Sequence, residues 1–201
     1  MSTGHDSLRR AQQLLLLLCL FLLTSSSNAQ QPAADPWFGP SSKPRDFAVP
    51  KVQLGSYSLE LPKDWQIGPG HAGILLFATE RTGNKLPRAA IKLEHQQLFD
   101  APTVTPEFGE AELRLIRQRE PSGQGFTQQI KEGSGRRLVF IQYTRPGLVT
   151  TDSVVQYSIP VGAVMYRLIC IAPQNELVKF QQVFAHVAAS FKPAGGAPPK
   201  S

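Results

Sequence analysis

His95 stands five residues before Asp100, at the end of an alternating run in which Ala89, Ile91 and Leu93 share its face. A histidine beside a carboxylate is the beginning of an acid/base pair, and with a neighbouring Ser or Thr it would serve a small hydrolase or ligand-processing enzyme. The plainer reading is a hydrogen-bonded histidine that closes a strand. Elsewhere the chemistry thins out. Ser134 is flanked by Gly133 and Gly135 but lacks the Gly-x-Ser-x-Gly frame of a strained nucleophile turn, and a tight hairpin loop accounts for it. His71, His95 and His186 are too far apart in the sequence for the i, i+4 helix pair that holds a metal, and His186 reads as a solvated residue on the polar side of a helix. The Gly68-Pro69-Gly70-His71-Ala72-Gly73 run is rich in glycine yet neither opens a helix nor ends in Gly-Lys-Ser/Thr, so it is a loop and not a phosphate cradle. No catalytic, cofactor-binding or metal-ligating residue is assigned.

Charge offers one further site. The 201-residue chain carries a formal +6, and Leu113–Thr150 holds seven basic residues against Glu120 and Glu132. Lys131, Arg136 and Arg137 surround one hairpin turn and form a candidate basic surface, suited to an anionic membrane or envelope polymer. The rest has a simpler cause: Glu107, Glu110 and Glu112 precede Arg114, Arg117 and Arg119, the order that complements a helix dipole on a solvated helix.

The first 29 residues set the compartment. Arg9 and Arg10 precede the unbroken apolar run Leu14–Leu23, and Ser27-Asn28-Ala29 offers small residues before a cut at Gln30. This is the pattern of a secretory signal peptide, since the run falls well short of the roughly 20 residues that span a bilayer. Cys19 lies mid-run, so it is not a lipoprotein cysteine, and the residues after Arg9-Arg10 do not fit a twin-arginine signal. The expected location is periplasmic or secreted, which argues against a nucleic-acid partner. Cys170 then remains alone, unable to form an internal disulfide and placed in an apolar strand as an inert thiol.

Residues 30–50 contain five prolines and no apolar period, and read as a disordered linker in which the adjacent aromatics Trp37 and Phe38 are the odd pair; residues 193–201 read as a disordered tail. Residues 51–192 are left as a single domain. Strands are expected at 57–61, at 73–80 and 88–96 as a hairpin, and at 126–132, 136–144, 153–159 and 165–172. Thr105-Pro106 opens one helix, with Phe108, Ala111, Leu115 and Ile116 as its apolar face. Asn175 is placed to cap a second, in which Leu177, Phe180, Phe184, Val187, Ala188 and Phe191 lie within an arc of roughly 100°. Leu138–Ile141 and Met165–Ile171 are apolar on both faces, Arg167 excepted, and belong at the centre of a sheet covered by a helix on each side. The fold class is therefore α+β, a mainly antiparallel sheet sandwiched between helices.

Tyr57-x-Leu59-x-Leu61-Pro62-x-x-Trp65, the hairpin strands, and a closing Tyr166-x-Leu168 strand followed by a helix ending in Ser190-Phe191 resemble the α/β/α sandwich shared by PsbP, the bacterial periplasmic DcrB proteins and the Ran-binding nucleotide-release factor. The resemblance spans about residues 52–192 and rests on packing residues, so it implies fold far more than function. It implies action through bound partners and supplies no catalytic residue. Together these readings describe an exported, non-catalytic binding or scaffold domain whose partner is an unidentified protein or envelope component. The His95/Asp100 enzyme and electrostatic attachment to an anionic surface are the alternatives.

Overall fold

The computed structural model describes residues 47–48, 57–68, 74–82, 87–133 and 136–193. The signal-peptide segment, Trp37 and Phe38, His71, Ser134 and the tail beyond Pro193 lie outside the described residues.

Seven strands form one sheet in the order β4-β5-β6-β10-β9-β8-β7, every pairing antiparallel. They are β4 (Trp65–Gly68), β5 (Ile74–Glu80), β6 (Ala90–Gln97), β7 (Gln124–Gly133), β8 (Arg136–Pro146), β9 (Thr151–Val161) and β10 (Val164–Pro173). Helix α1 (Pro106–Arg119) carries the chain from β6 to the far edge, from which β7 to β10 fold back as successive hairpins until β10 pairs with β6. The turn from β9 to β10 is tight enough to place Gly162 at φ 57°, in the left-handed region that favours glycine. A 3-10 turn (Gln174–Glu176) and helix α2 (Leu177–Ser190) follow β10. Two short pairs lie apart from the main sheet: β1 (Phe47–Ala48) with β3 (Leu61–Pro62), and β2 (Tyr57–Ser58) with β11 (Lys192–Pro193).

The alternation of side chains sorts the core into two layers. Leu138 and Phe140 of β8, Tyr157 and Ile159 of β9, and Leu168 and Cys170 of β10 face α2, where Phe180, Phe184 and Phe191 are fully buried. Val139, Ile141 and Tyr143, Val154 and Ile169 face the other way, toward Leu113 and Ile116 of α1. β10 sits at the centre of the sheet as expected, whereas β8, with Leu138–Ile141, lies next to the β7 edge and is apolar on both faces because a helix covers it on each side; the α+β sandwich is the one expected from the pattern. Burial of Cys170 pushes its thiol well above the ordinary value.

Local chemistry explains the helix starts. Thr105 accepts a hydrogen bond from the Phe108 N–H at 3.2 Å and Pro106 fills the first helical position. Asn175 does not cap α2; it lies inside the 3-10 turn, and no side chain caps the helix start at Glu176. The buried face of α1 also differs from expectation: Gly109, Glu112, Leu113 and Ile116 are buried, while Leu115 is 47% exposed. That stripe keeps the i, i+3, i+4, i+7 spacing, but a carboxylate occupies one of its positions. The expected strand over 57–61 is broken into β2 and β3, and the chain gains β4 at the sheet edge beyond a turn at Lys63-Asp64.

Glu112 is buried because Arg167 receives it. The guanidinium Nε and Nη2 donate to Glu112 Oε2 and Oε1 at 3.0 and 2.8 Å, and Nη1 donates to Gln96 Oε1 at 2.7 Å. Ser158 Oγ donates to the same carboxylate at 3.1 Å and accepts from Gln156 Nε2 at 2.9 Å. The charge that Arg167 brings into a central strand is therefore paired and hydrogen-bonded on both sides, the condition under which a buried ion pair is tolerated.

A candidate docking groove

The sequence candidates separate in space. His95 lies opposite Tyr166 on β10, half-buried, with an Nδ1 atom that is buried and has no hydrogen-bond partner. β6 runs on to Gln97, and Asp100 lies exposed in the bend beyond. No hydrogen bond or ion pair joins the two, so the acid/base pair required by the enzyme reading is not formed. Ser158 beside Glu112 is no substitute nucleophile, because it is fully buried and closed to substrate. His186 is not simply solvated: its Nε2 lies 2.8 Å from Glu60 Oε2, and Ser190 Oγ accepts from the Glu60 N–H at 2.9 Å, tying α2 to the segment after β2. Among the described residues no group of three or more His, Cys, Asp or Glu side chains is placed to hold a metal ion.

The basic hairpin is split by the pleat. Lys131 faces Leu138 and Arg136 faces Gly133 across the β7–β8 ladder, on the α2 side, whereas Arg137 lies on the α1 side and pairs with Glu132 at 2.7 Å. Lys131 lies 3.8 Å from the centroid of the Phe140 ring, and burial pushes its ammonium below the ordinary lysine value. Lys131 and Arg136 therefore share a face that Arg137 does not.

A different site comes from three separated stretches of chain. At the end of the sheet where β6 and β9 begin and β8 and β10 finish, Arg88, Ala90, Leu148, Val149, Asp152 and Ile171 line a groove of about 280 Å³. Leu148 and Val149 form the tip of the β8–β9 hairpin and are 97% and 79% exposed. The tip is closed by the Gly147 N–H, which donates to the Thr150 carbonyl at 2.8 Å. Glycine is needed there: a Cβ on residue 147 would collide with Asp152 Oδ1 and with that carbonyl. Val178, 83% exposed in the first turn of α2, lies at the same end of the molecule, just past Pro173.

The charges around this groove are unevenly matched. Arg88 is paired with two carboxylates, with Nε and Nη2 donating to both oxygens of Glu80 at 3.1 and 3.0 Å and Nη1 to Glu176 at 3.2 Å. Arg145 lies across the ladder from Asp152 but donates to Glu120 at 2.6 Å. Asp152 is left in the field of Arg145 without a bonded cation, and burial, only partly opposed by that arginine, raises its carboxyl above the usual aspartate value. The sequence concealed this site because its three parts are separated by about sixty and about twenty residues and Leu148-Val149 reads as the filling of a Pro-Gly loop.

Beside the groove, the α1 face of the sheet is only half covered. α1 packs over β7 and β8, while Phe77 on β5 remains 38% exposed and Lys92 pairs with Glu94, which Arg119 of α1 reaches at 3.2 Å. Gly68 lies opposite Phe77 and leaves its ring uncovered from the β4 side.

No protein-family model matches the chain, and no curated protein matches its sequence. Its fold, however, is found in solved structures. The solution structure of the cyanobacterial PsbP of Synechocystis aligns with a TM-score of 0.53 at 10% identity over 77% of this chain and 96% of that one. The crystal structure of the Saccharomyces cerevisiae Ran-binding protein Mog1p aligns with a TM-score of 0.53 at 8% identity over 75% and 97%. The chain has the PsbP/Mog1p-like α+β fold. At these identities the likeness concerns the backbone alone. No helix among the described residues is long and apolar enough to cross a membrane.

Proposed function

We propose that this chain is an exported, non-catalytic binding domain that docks a protein or envelope partner at the groove end of its sheet. The observation that carries the reading is the pair Leu148 and Val149, almost fully exposed at a hairpin tip beside an apolar groove, with Val178 exposed at the same end. Large apolar side chains gathered at one rim are the surface property that marks an interaction site, since water disfavours them and nothing in the fold requires them there. Mog1p, a Ran-binding protein on the same fold, is a precedent for such a sandwich acting through a bound protein. The signal-peptide pattern of residues 1–29 supports export, and the exported protein is expected to begin at Gln30 by intact mass.

The test is a double variant, Leu148→Ser with Val149→Ser, made in the producing cell. Both side chains are solvent-facing, so the unfolding midpoint should stay within about 0.5 kcal/mol of the parent. A partner recovered after chemical cross-linking of the parent should be lost from the variant. Retention of that partner at full yield would remove the groove end from the account.

A further inference from the structure

The unfinished chemistry of the groove is the Asp152 carboxylate. The two arginines beside it are paired elsewhere, Arg88 with Glu80 and Glu176 and Arg145 with Glu120. No described residue donates a hydrogen bond or forms an ion pair with Asp152, although it is partly buried against the hairpin tip. A carboxylate withdrawn from water without a partner is costly, and a cation arriving from outside would remove that cost.

We infer that the groove takes an extended peptide segment of a partner protein in which a lysine or arginine stands beside a bulky aliphatic or aromatic residue. This rests on the reading of the groove as a docking site and names what it recognises. The cation meets Asp152, and the apolar neighbour packs on Leu148, Val149 and Ile171. Size agrees with this occupant. At about 280 Å³ the groove lies at the lower limit of sites that enclose a drug-sized ligand, about 300–1,000 Å³, and suits a pair of side chains better than a cofactor. Sign agrees as well. The chain as a whole is basic, yet the unmet charge here is negative, so an anionic head group or phosphate would meet an opposing carboxylate beside an arginine already paired with two others.

The probes are three fluorescent decapeptides identical except at the centre, which reads Lys-Leu-Leu, norleucine-Leu-Leu or Lys-Ser-Ser, titrated against the full-length exported protein by anisotropy. The first should bind at least about tenfold more tightly than either other, tenfold being the 1.4 kcal/mol expected of one partly desolvated charge pair. Asp152→Asn should bring the lysine and norleucine peptides to equal affinity while leaving the unfolding midpoint unchanged or higher, because it removes a poorly solvated charge. Leu148→Ser with Val149→Ser should weaken both. A lysine preference that survives Asp152→Asn overturns the proposal. So does binding only to anionic phosphatidylglycerol vesicles, which would make the exposed tip a membrane contact. Loss of all peptide binding while a native partner still cross-links at the hairpin tip would refute the ligand class and keep the docking site; loss of both would refute the docking site too.

Discussion

Arg167 carries a full charge into the middle strand of the sheet, and what makes that tolerable is Glu112 on the helix above it. The pair is 5% and 4% exposed and makes two parallel hydrogen bonds, with Ser158 and Gln96 taking further valences. Removing one partner would strand the other in the interior. Glu112→Leu or Arg167→Met alone should therefore cost about 3–5 kcal/mol in urea unfolding, whereas the double variant should lose much less than the sum. Additive losses would mean the two charges do not stabilise one another. Two buried phenols give a second residue-level expectation. Tyr57 and Tyr143 are pushed up to about 12, by burial first and then by Tyr166 and Glu120 respectively, from an ordinary 10.0. Between these values the unfolded chain releases protons that the folded chain keeps, so stability is complete below pH 10 and declines as pH rises toward 12. Tyr143→Phe should flatten that decline between pH 9.5 and 11.5; an unchanged slope would show that Tyr143 does not contribute.

At the scale of elements, the helices differ in how they are held and hence in how plainly they could be read. α2 presents aromatic residues at helical spacing, and its stripe was legible because Phe180, Phe184, Val187 and Phe191 are apolar and lie fully buried. Phe184→Ala should cost about 3–5 kcal/mol, seen as a fall in the urea midpoint without a change in slope. α1 was misread by about a quarter of a turn, with Ala111 and Leu115 in place of Leu113 and Gly109, because a buried Glu112 breaks the apolar signal that periodicity depends on. Its cap was legible, since Thr-Pro has one dominant local use; Thr105→Ala should cost about 1 kcal/mol. Asn175 has the same chemistry as a cap, but the 3-10 turn that follows Pro173 moves the helix start past it. The edge strand β4 is four residues long with Gln66 and Gly68 inside it, too short and too polar to announce itself, and becomes a strand only because β5 pairs with it. Long strands with a uniform pattern are written locally, while short ones are imposed by their neighbours.

On the scale of the whole molecule, the sandwich buries both sheet faces near its middle and, apart from the exposed Phe99 beyond β6, leaves two composite features: the half-covered α1 face around Phe77, and the groove end carrying Leu148, Val149 and Asp152. Neither is visible as a motif, since each draws on stretches that meet only after the sheet is assembled, with β6 brought beside β10 by the α1 crossover. The PsbP/Mog1p-like backbone fixes where these surfaces lie without fixing what they hold. The most direct measurement places a photo-cross-linking amino acid at Val149, Phe77 or Gln129 in turn, in protein produced in its own cell. Gln129 lies exposed on the β7 edge strand, at the opposite edge of the sheet from β4, and serves as the remote control. A discrete adduct at Val149, absent at Gln129 and reduced by Asp152→Asn, is the predicted result. Adducts of equal yield at all three positions, or at Gln129 alone, would contradict it.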